Sequence, residues 1–179
     1  MTTEKKVLIV IAPRKFRDEE LTEPIHYLEK AGIAYEVIST SRGLAIGMLG
    51  GKMLIEQTIV GVKEDGIAGY AGILIVGGGG SVEYLWNNTP LLELVHLFDT
   101  AGKIVSAICL APVVLAHAGI LNEKKVTVWN DDVAIEEIQK AGGIFTSQPV
   151  VVDGRIITAN GPTAAAAFGE KVAKAVLAS

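Results

Sequence analysis

Short apolar runs typical of buried strands alternate with helical patterns along the chain, and this alternation limits the fold more than any other feature. The strand-like runs cover residues 6–12, 35–40, 71–76, 104–108, 125–129, 145–152 and 155–159. The helical patterns cover residues 21–31, 91–101, 112–118, 131–141 and 163–177. Because each crossover helix must cover one face of a parallel sheet, we predict an α/β fold with a doubly wound, mostly parallel sheet sandwiched by helices.

Two segments predict antiparallel hairpins within this plan. The last two strand-like runs meet at Asp153-Gly154, a dipeptide typical of tight hairpin turns. Residues 46–57 contain three glycines and predict a second hairpin, at an edge of the sheet. The length of 179 residues predicts a single domain over residues 1–179.

Composition excludes several classes of protein. Hydrophobic residues make up 50% of the chain and charged residues 20%, which excludes a disordered or fibrous protein. The net charge is −4 and the basic residues are scattered, so we expect no nucleic acid partner. The apolar run at 7–12 is too short to span a bilayer, and we expect no membrane association. The single cysteine favours a reducing compartment, and we expect a cytoplasmic location.

Three segments are expected to meet where a doubly wound sheet binds its ligands. Such sheets bind ligands beyond the carboxyl ends of the strands, near the point where strand order reverses. The turn after Ala12, the four glycines at 77–80 and the junction at Cys109 each follow a predicted strand. This edge is therefore the predicted site of function.

Cys109 lies between a strand and a helix, a position that favours a nucleophile. The segment Ser106-Ala107-Ile108-Cys109-Leu110-Ala111-Pro112 is similar to the sharp turn that raises a nucleophile above a sheet. The partial positive charge of a helix N-terminus is expected to lower the pKa of this thiol. The alternative is that Cys109 is a small buried hydrophobic residue.

Four motifs, in this order and spacing, resemble the DJ-1/PfpI superfamily, and they cover nearly the whole chain. They are Glu20-Leu21-Thr22-Glu23-Pro24, Gly78-Gly79, Ala107-Ile108-Cys109-Leu110-Ala111-Pro112 and Gly161-Pro162. The resemblance implies a flavodoxin-like fold and a homodimer or larger homo-oligomer. It also implies glyoxalase-like, deglycase-like, peptidase, redox-stress or chaperone activity, so that membership leaves the function open.

The resemblance also assigns roles to particular residues. Cys109 matches the nucleophile, and Glu20 matches the acidic residue that approaches its sulfur. The backbone N–H groups of Gly79 and Leu110 match the oxyanion hole, and a glycine at 79 leaves the backbone open to a substrate. Without the resemblance, we would interpret Glu20 as a solvated carboxylate at a helix start and the glycines at 77–80 as a flexible loop.

The sequence departs from the family where histidines are expected. PfpI-type peptidases have a histidine directly after the cysteine, where this chain has Leu110. Members closer to DJ-1 often have one after the next strand, near Trp129-Asn130. We therefore expect peptidase activity to be the weaker alternative, because an amide leaving group needs a general acid.

The histidines that are present, and one further acidic residue, are expected to lie away from the site. His26, His96 and His117 fall on predicted helices, and His117 is expected to be a charge at the end of its helix or a packed residue. Glu83 corresponds to an acidic residue that some relatives supply across a subunit boundary, but a surface carboxylate is the preferred interpretation.

Two functional hypotheses follow, and both use the same sulfur. In the first, the chain is a cysteine enzyme without cofactor or metal that acts on a reactive small-molecule carbonyl or its protein adduct, with Glu20 moving the proton. In the second, it is a non-enzymatic redox-stress protein in which Cys109 is oxidised. A member of the family that keeps the fold and has lost activity is the third alternative.

Overall fold

The structure is a computed structural model that describes residues 5–179. It contains three β-sheets, and helices cover both faces of the largest one. The strands are β1 (Lys6–Val10), β2 (Arg14–Phe16), β3 (Ala34–Ser39), β4 (Gly43–Gly47), β5 (Lys52–Ile55), β6 (Gln57–Thr58), β7 (Gly72–Ile75), β8 (Ile104–Ile108), β9 (Lys125–Val126), β10 (Ile144–Phe145), β11 (Val150–Asp153) and β12 (Ile156–Ala159). The helices are α1 (Asp18–Lys30), α2 (Ile59–Asp65), α3 (Gly79–Tyr84), α4 (Thr89–Thr100), α5 (Pro112–His117), α6 (Asp132–Lys140) and α7 (Ala165–Ala178), the last preceded by a 3₁₀ turn.

The main sheet has seven strands in the order β11-β12-β8-β7-β1-β3-β6. Its pairs are parallel except for β11 with β12, which form the hairpin predicted at Asp153-Gly154. Alternate residues of β1 face opposite cores: Leu8 and Val10 pack with α2, α4, α5 and α6, whereas Val7 and Ile9 pack with α1 and α7. This arrangement confirms the predicted doubly wound α/β sheet.

Strand order reverses between β1 and β7. From β1 the chain continues outward to β3 and β6, whereas β7, β8 and β12 follow one another in the opposite direction. A crevice therefore opens beyond the carboxyl ends of β1 and β7, with β8 beside it. The segments that follow these three strands are the ones the sequence predicted to meet.

The hairpin predicted at residues 46–57 forms, but it lies in a different sheet. Strands β4 and β5 pair in antiparallel fashion, and β2 joins them in a separate three-stranded sheet. The Asp18 carboxylate accepts hydrogen bonds from the N–H groups of Leu49 and Gly51, at 2.8 and 2.7 Å. These bonds tie the hairpin turn to the start of α1 and so place it beside the crevice.

Other elements also differ from the prediction. Helix α2 was not predicted, since its seven residues are too few to show a helical period. The run at 125–129 is a strand only over β9, and the run at 145–152 divides into β10, which pairs with β9, and β11. Helix α3 begins at Gly79, within the glycine segment for which the sequence predicts no helix.

None of the helices among residues 5–179 has the length and apolarity that crossing a bilayer requires.

Candidate active site

Cys109 is held in a strained backbone conformation at the end of β8. Its φ of 65° lies in the left-handed region, which costs a non-glycine residue about 1–2 kcal/mol. The Cys109 N–H donates to Ala159 O at 2.9 Å, and the Trp129 N–H donates to Cys109 O at 2.8 Å. Both main-chain groups are therefore paired with neighbouring segments, and these bonds offset the strain. The result is a sharp strand-to-helix turn, as the sequence indicated.

Glu20 lies in the first turn of α1 and is fully buried. Its Oε2 accepts a hydrogen bond from the Gly77 N–H at 2.9 Å. Its Oε1 is buried and, within residues 5–179, has no hydrogen-bond partner of good geometry. A buried carboxylate oxygen without a donor is costly, whereas a protonated Oε1 becomes a donor itself. The solvated helix-start alternative for Glu20 is therefore wrong.

Burial raises the pKa of Glu20 to about 7, although hydrogen bonding with Cys109 and with the Gly77 N–H opposes this shift, as does the charge of Arg17. Near neutral pH a substantial fraction of this carboxyl is thus protonated. After burial, hydrogen bonding with the Cys109 side chain has the largest effect on this pKa. Glu20 can in this way both accept and donate a proton at the sulfur.

The pKa of Cys109 contradicts the sequence prediction. Burial raises the pKa of the thiol to about 12, and the negative charge of Glu20 adds to this increase, whereas N–H groups of Gly78 and Leu110 lower it. The helix effect is outweighed because α5 has only six residues and the sulfur is largely removed from water. The repulsive part of this shift disappears when Glu20 is protonated. The two side chains therefore titrate as a pair, in which a proton on the carboxyl favours the thiolate.

Glycines at 77 and 78 are required by close packing around this pair. A Cβ at Gly77 would lie 2.6 Å from Cys109 Cβ and 2.7 Å from Glu20 Oε2. Gly78 has a φ of 96°, and a Cβ there would lie 2.5 Å from Lys15 O. The space around Gly79 is open. The prediction that nothing blocks the backbone at position 79 is thus consistent with the packing.

The amide groups predicted as an oxyanion hole lie at the mouth of a small cavity. Gly79 and Leu110 both line it, together with Cys109, and its volume is about 260 Å³. The amides that hydrogen bond with the sulfur itself are those of Gly78 and Leu110. The role of Gly79 as a donor to a substrate oxygen stays a prediction.

The cavity wall also contains residues that the sequence interpretation left out of the site. These are Arg17, Met48, Gly78, Trp129 and Pro162. The Arg17 guanidinium donates to both carboxylate oxygens of Glu19, at 2.8 and 3.0 Å, and its charge reaches Glu20 and Cys109. Arg17 lies directly before α1 with an extended backbone, so its position near Glu20 depends on how the chain enters the helix, and no sequence pattern marks it.

The histidines lie away from the cavity. His26 is exposed on α1, and His96 and His117 line a larger cavity of about 530 Å³ between α4 and α5. No cysteine or serine lines that cavity, so we assign the chemistry to the smaller one, which Cys109 lines. Glu83 is exposed and lies 3.6 Å from Lys15, in agreement with a surface carboxylate.

Comparison with known proteins assigns the family. The family model described as DJ-1/PfpI family matches residues 5–175. The chain belongs to the DJ-1/PfpI family. A ThiJ/PfpI domain protein from Brachyspira murdochii has a crystal structure with a TM-score of 0.91, 32% identity and coverage of 97% of both chains. This likeness agrees with the flavodoxin-like fold that the resemblance implied.

Two relatives in the DJ-1/PfpI family differ in what their names say about function. An uncharacterized protein of Methanocaldococcus jannaschii is 55% identical over 171 residues, which cover 96% of this chain and 82% of that protein. The Escherichia coli protein named protein/nucleic acid deglycase 2 is 29% identical over 168 residues, which cover 93% of this chain and 95% of that protein.

Among the residues that the structure describes, no group of three or more His, Cys, Asp or Glu side chains could hold a metal ion.

Proposed function

We propose that this DJ-1/PfpI protein is a cysteine-dependent enzyme of the deglycase and glyoxalase type, which acts on a reactive small-molecule carbonyl or its adduct on a protein. The observation that carries the proposal is the buried Glu20 carboxyl, with a pKa raised to about 7, against the strained Cys109 turn. A structural cysteine requires neither a buried acid nor a left-handed backbone. The relative from Escherichia coli that is named a deglycase supports the substrate class.

In the proposed reaction, Cys109 Sγ adds to the aldehyde carbon of methylglyoxal. The C–S bond forms as the π electrons of the carbonyl move to oxygen, where the N–H groups of Gly79 and Leu110 stabilise the negative charge. Glu20 protonates this oxygen and then moves the proton of the attacked carbon to the neighbouring carbonyl carbon. Carbon 1 is oxidised and carbon 2 reduced, giving a thioester of lactate. Water cleaves the thioester and restores the thiol.

An adduct on a protein amine requires one additional step. The carbon that bears the amine is the one attacked by Cys109, and its carbon–nitrogen bond breaks with the electron pair leaving on nitrogen. A proton from Glu20 neutralises the departing amine, which leaves the same hemithioacetal as methylglyoxal gives. Proton transfer from carbon 1 to carbon 2 and hydrolysis of the thioester then follow as before. Peptidase activity is less supported, since the side chains lining the cavity include no histidine.

The test is conversion of methylglyoxal to lactate by purified protein. Cys109→Ser should remove all measurable turnover, and Glu20→Gln should lower kcat at least 100-fold, because general acid–base catalysis contributes about 10²–10⁴-fold. Glu83→Gln is the matched control, since it makes the same change at an exposed carboxylate and should leave kcat unchanged. Turnover that survives in Cys109→Ser, or a wild type inactive on every small dicarbonyl and amine adduct, would refute the proposal.

A second candidate function, a redox-stress role, uses the same surroundings of the sulfur. One hydrogen peroxide oxidises the Cys109 thiolate to a sulfenate with release of water, and a second oxidises it to a sulfinate. The N–H groups at Gly78 and Leu110 and a protonated Glu20 can donate to the added oxygens. Intact mass after mild peroxide should rise by one or two oxygens, and Cys109→Ala should abolish the increase. Catalytic turnover by the wild type together with resistance to peroxide would exclude this role.

We propose that the chain folds as a single domain and acts as a homodimer or larger homo-oligomer in the cytoplasm. Exposed apolar side chains on and beside the β4–β5 hairpin support self-association: Leu44, Met48, Leu49 and Leu54. Light scattering on a size-exclusion column measures the assembly, and a monomer at micromolar concentration would contradict it.

A further inference from the structure

A chain of hydrogen bonds leads from the protein surface to Leu110, the residue after Cys109. The Trp86 indole N–H donates to Leu110 O at 2.8 Å. The Trp86 carbonyl oxygen lies 2.7 Å from His117 Nδ1, and His117 Nε2 lies 2.7 Å from Glu137 Oε2. Trp86 is buried, whereas His117 and Glu137 are each about one quarter exposed or less.

His117 contacts both Trp86 and Glu137. Its Nδ1 faces the Trp86 carbonyl oxygen and its Nε2 faces Glu137 Oε2, and this second contact lowers the pKa of the Glu137 carboxyl. The edge of the His117 ring also meets the Trp86 ring, with centroids 6.3 Å apart at 80°. The indole is thus restrained at both its ring and its main chain.

Trp86 connects the two loops that supply the amides around the sulfur. Gly78 and Gly79 lie at the start of α3, which also contains Ser81. Trp86 follows this helix, and its main-chain N–H donates to Ser81 O at 3.0 Å. Leu110 belongs to the separate loop after β8. The indole bond to Leu110 O is therefore a direct cross-link between the segment of Gly78–Gly79 and the segment of Leu110.

We infer that Trp86, held by His117 and Glu137, is a positioning residue that sets the spacing between the Gly78–Gly79 and Leu110 amides. This assignment rests on the proposed function for the role of those amides in catalysis. Its effect on the sulfur does not depend on turnover, because the N–H groups of Gly78 and Leu110 already stabilise the thiolate. Loss of the indole N–H should loosen the Leu110 loop and weaken the hydrogen bond to the sulfur.

The test measures alkylation of Cys109 by iodoacetamide between about pH 6 and pH 10, followed by intact mass. Trp86→Phe keeps an aromatic ring and removes the N–H. It should lower the alkylation rate at each pH by about 3- to 10-fold, the effect of one lost hydrogen bond, and move the profile to higher pH. Glu137→Gln retains the shape of the side chain and should lower the rate about 2-fold. Its matched control is Glu136→Gln on the same helix, because the Glu136 carboxylate is exposed and forms an ion pair with Lys140. This variant should be alkylated at the wild-type rate.

Turnover of methylglyoxal by the same variants separates this inference from the proposed function. If the wild type is active, Trp86→Phe should lower kcat by a similar factor with little change in KM. If the wild type is inactive and the alkylation profile still moves, the positioning role stands and the proposed function fails. A purely structural residue would lower Tm without changing the profile. Unchanged alkylation in both folded Trp86→Phe and folded Glu137→Gln would overturn the inference.

Discussion

Replacing Glu20 by glutamine should make the protein more stable at neutral and mildly alkaline pH while removing the proposed activity. Gln keeps the shape of the side chain, and its oxygen can still accept from the Gly77 N–H. Its NH₂ group supplies a donor at the position of Oε1, the buried oxygen that has no partner of good geometry among residues 5–179. The substitution therefore removes a buried charge without opening a cavity.

The size of the expected gain in stability follows from the pKa of Glu20, which burial raises from 4.5 to about 7. A carboxyl with a raised pKa in the folded state binds its proton more tightly there than in the unfolded chain. The stabilisation of the folded state by this bound proton is fully present below pH 4.5 and is lost as the pH rises through about 7. A difference of about 2.5 units corresponds to about 3 kcal/mol. For a chain of this size, this amounts to about 6–12 °C in Tm.

The assay is chemical denaturation of the wild type and Glu20→Gln between about pH 4 and pH 8.5. This range avoids higher pH, where the unfolded-state cysteine ionises while the raised pKa of Cys109 keeps the folded thiol neutral and costs further stability. The difference in unfolding free energy between the two proteins isolates Glu20 from the other titrating groups. Relative to the wild type, the unfolding free energy of Glu20→Gln should rise by about 3 kcal/mol as the pH increases from about 4 to about 8.5.

Glu83→Gln provides the control, since its carboxylate is exposed and its difference from the wild type should be small at every pH. A Glu20→Gln difference that stays constant between about pH 4 and pH 8.5 would show that Glu20 is not the titrating group. The pKa of the buried Glu20 carboxyl would then not be raised in the folded protein.

Two further substitutions test the surroundings of the pair. Gly77→Ala should destabilise the protein by about 1–3 kcal/mol and suppress alkylation of Cys109, since its Cβ would overlap Cys109 and Glu20; Gly79→Ala, in open space, is the control. Arg17→Gln should raise the pKa of Glu20 further, because the guanidinium charge lowers it. The pH at which Glu20-linked stability is lost should then move upward, and a shift to lower pH would contradict the assigned electrostatics.

The fold could be predicted because each element carries its own local signal. The Asp153-Gly154 turn and the β-branched runs of the inner strands are local patterns, and both appear in the structure. The strand order itself was not predicted, because it depends on which distant strands pair. Helix α2 and the early start of α3 were missed, because neither is long enough to show a period and α3 begins on two glycines.

The site could be predicted in its residues better than in its electrostatics. Cys109 and Glu20 lie together, as the family resemblance implied. The direction of the Cys109 shift was wrong because desolvation depends on how completely distant segments cover the sulfur. The Trp86 bond to Leu110 joins residues 24 positions apart, and no sequence pattern marks such a contact. His117 was correctly placed at the end of its helix, but its bonds to Trp86 and Glu137 are tertiary.

The backbone restraint at Cys109 makes this thiol a natural reporter of folding. Its shielding requires β12, the segment at Trp129, the glycine loop after β7 and the first turn of α1, which come from widely separated parts of the chain. Partially assembled chains leave at least one of these neighbours absent and the sulfur open to reagent. Since the chain has one cysteine, pulsed thiol labelling during refolding would time the completion of the whole sheet without any engineered probe.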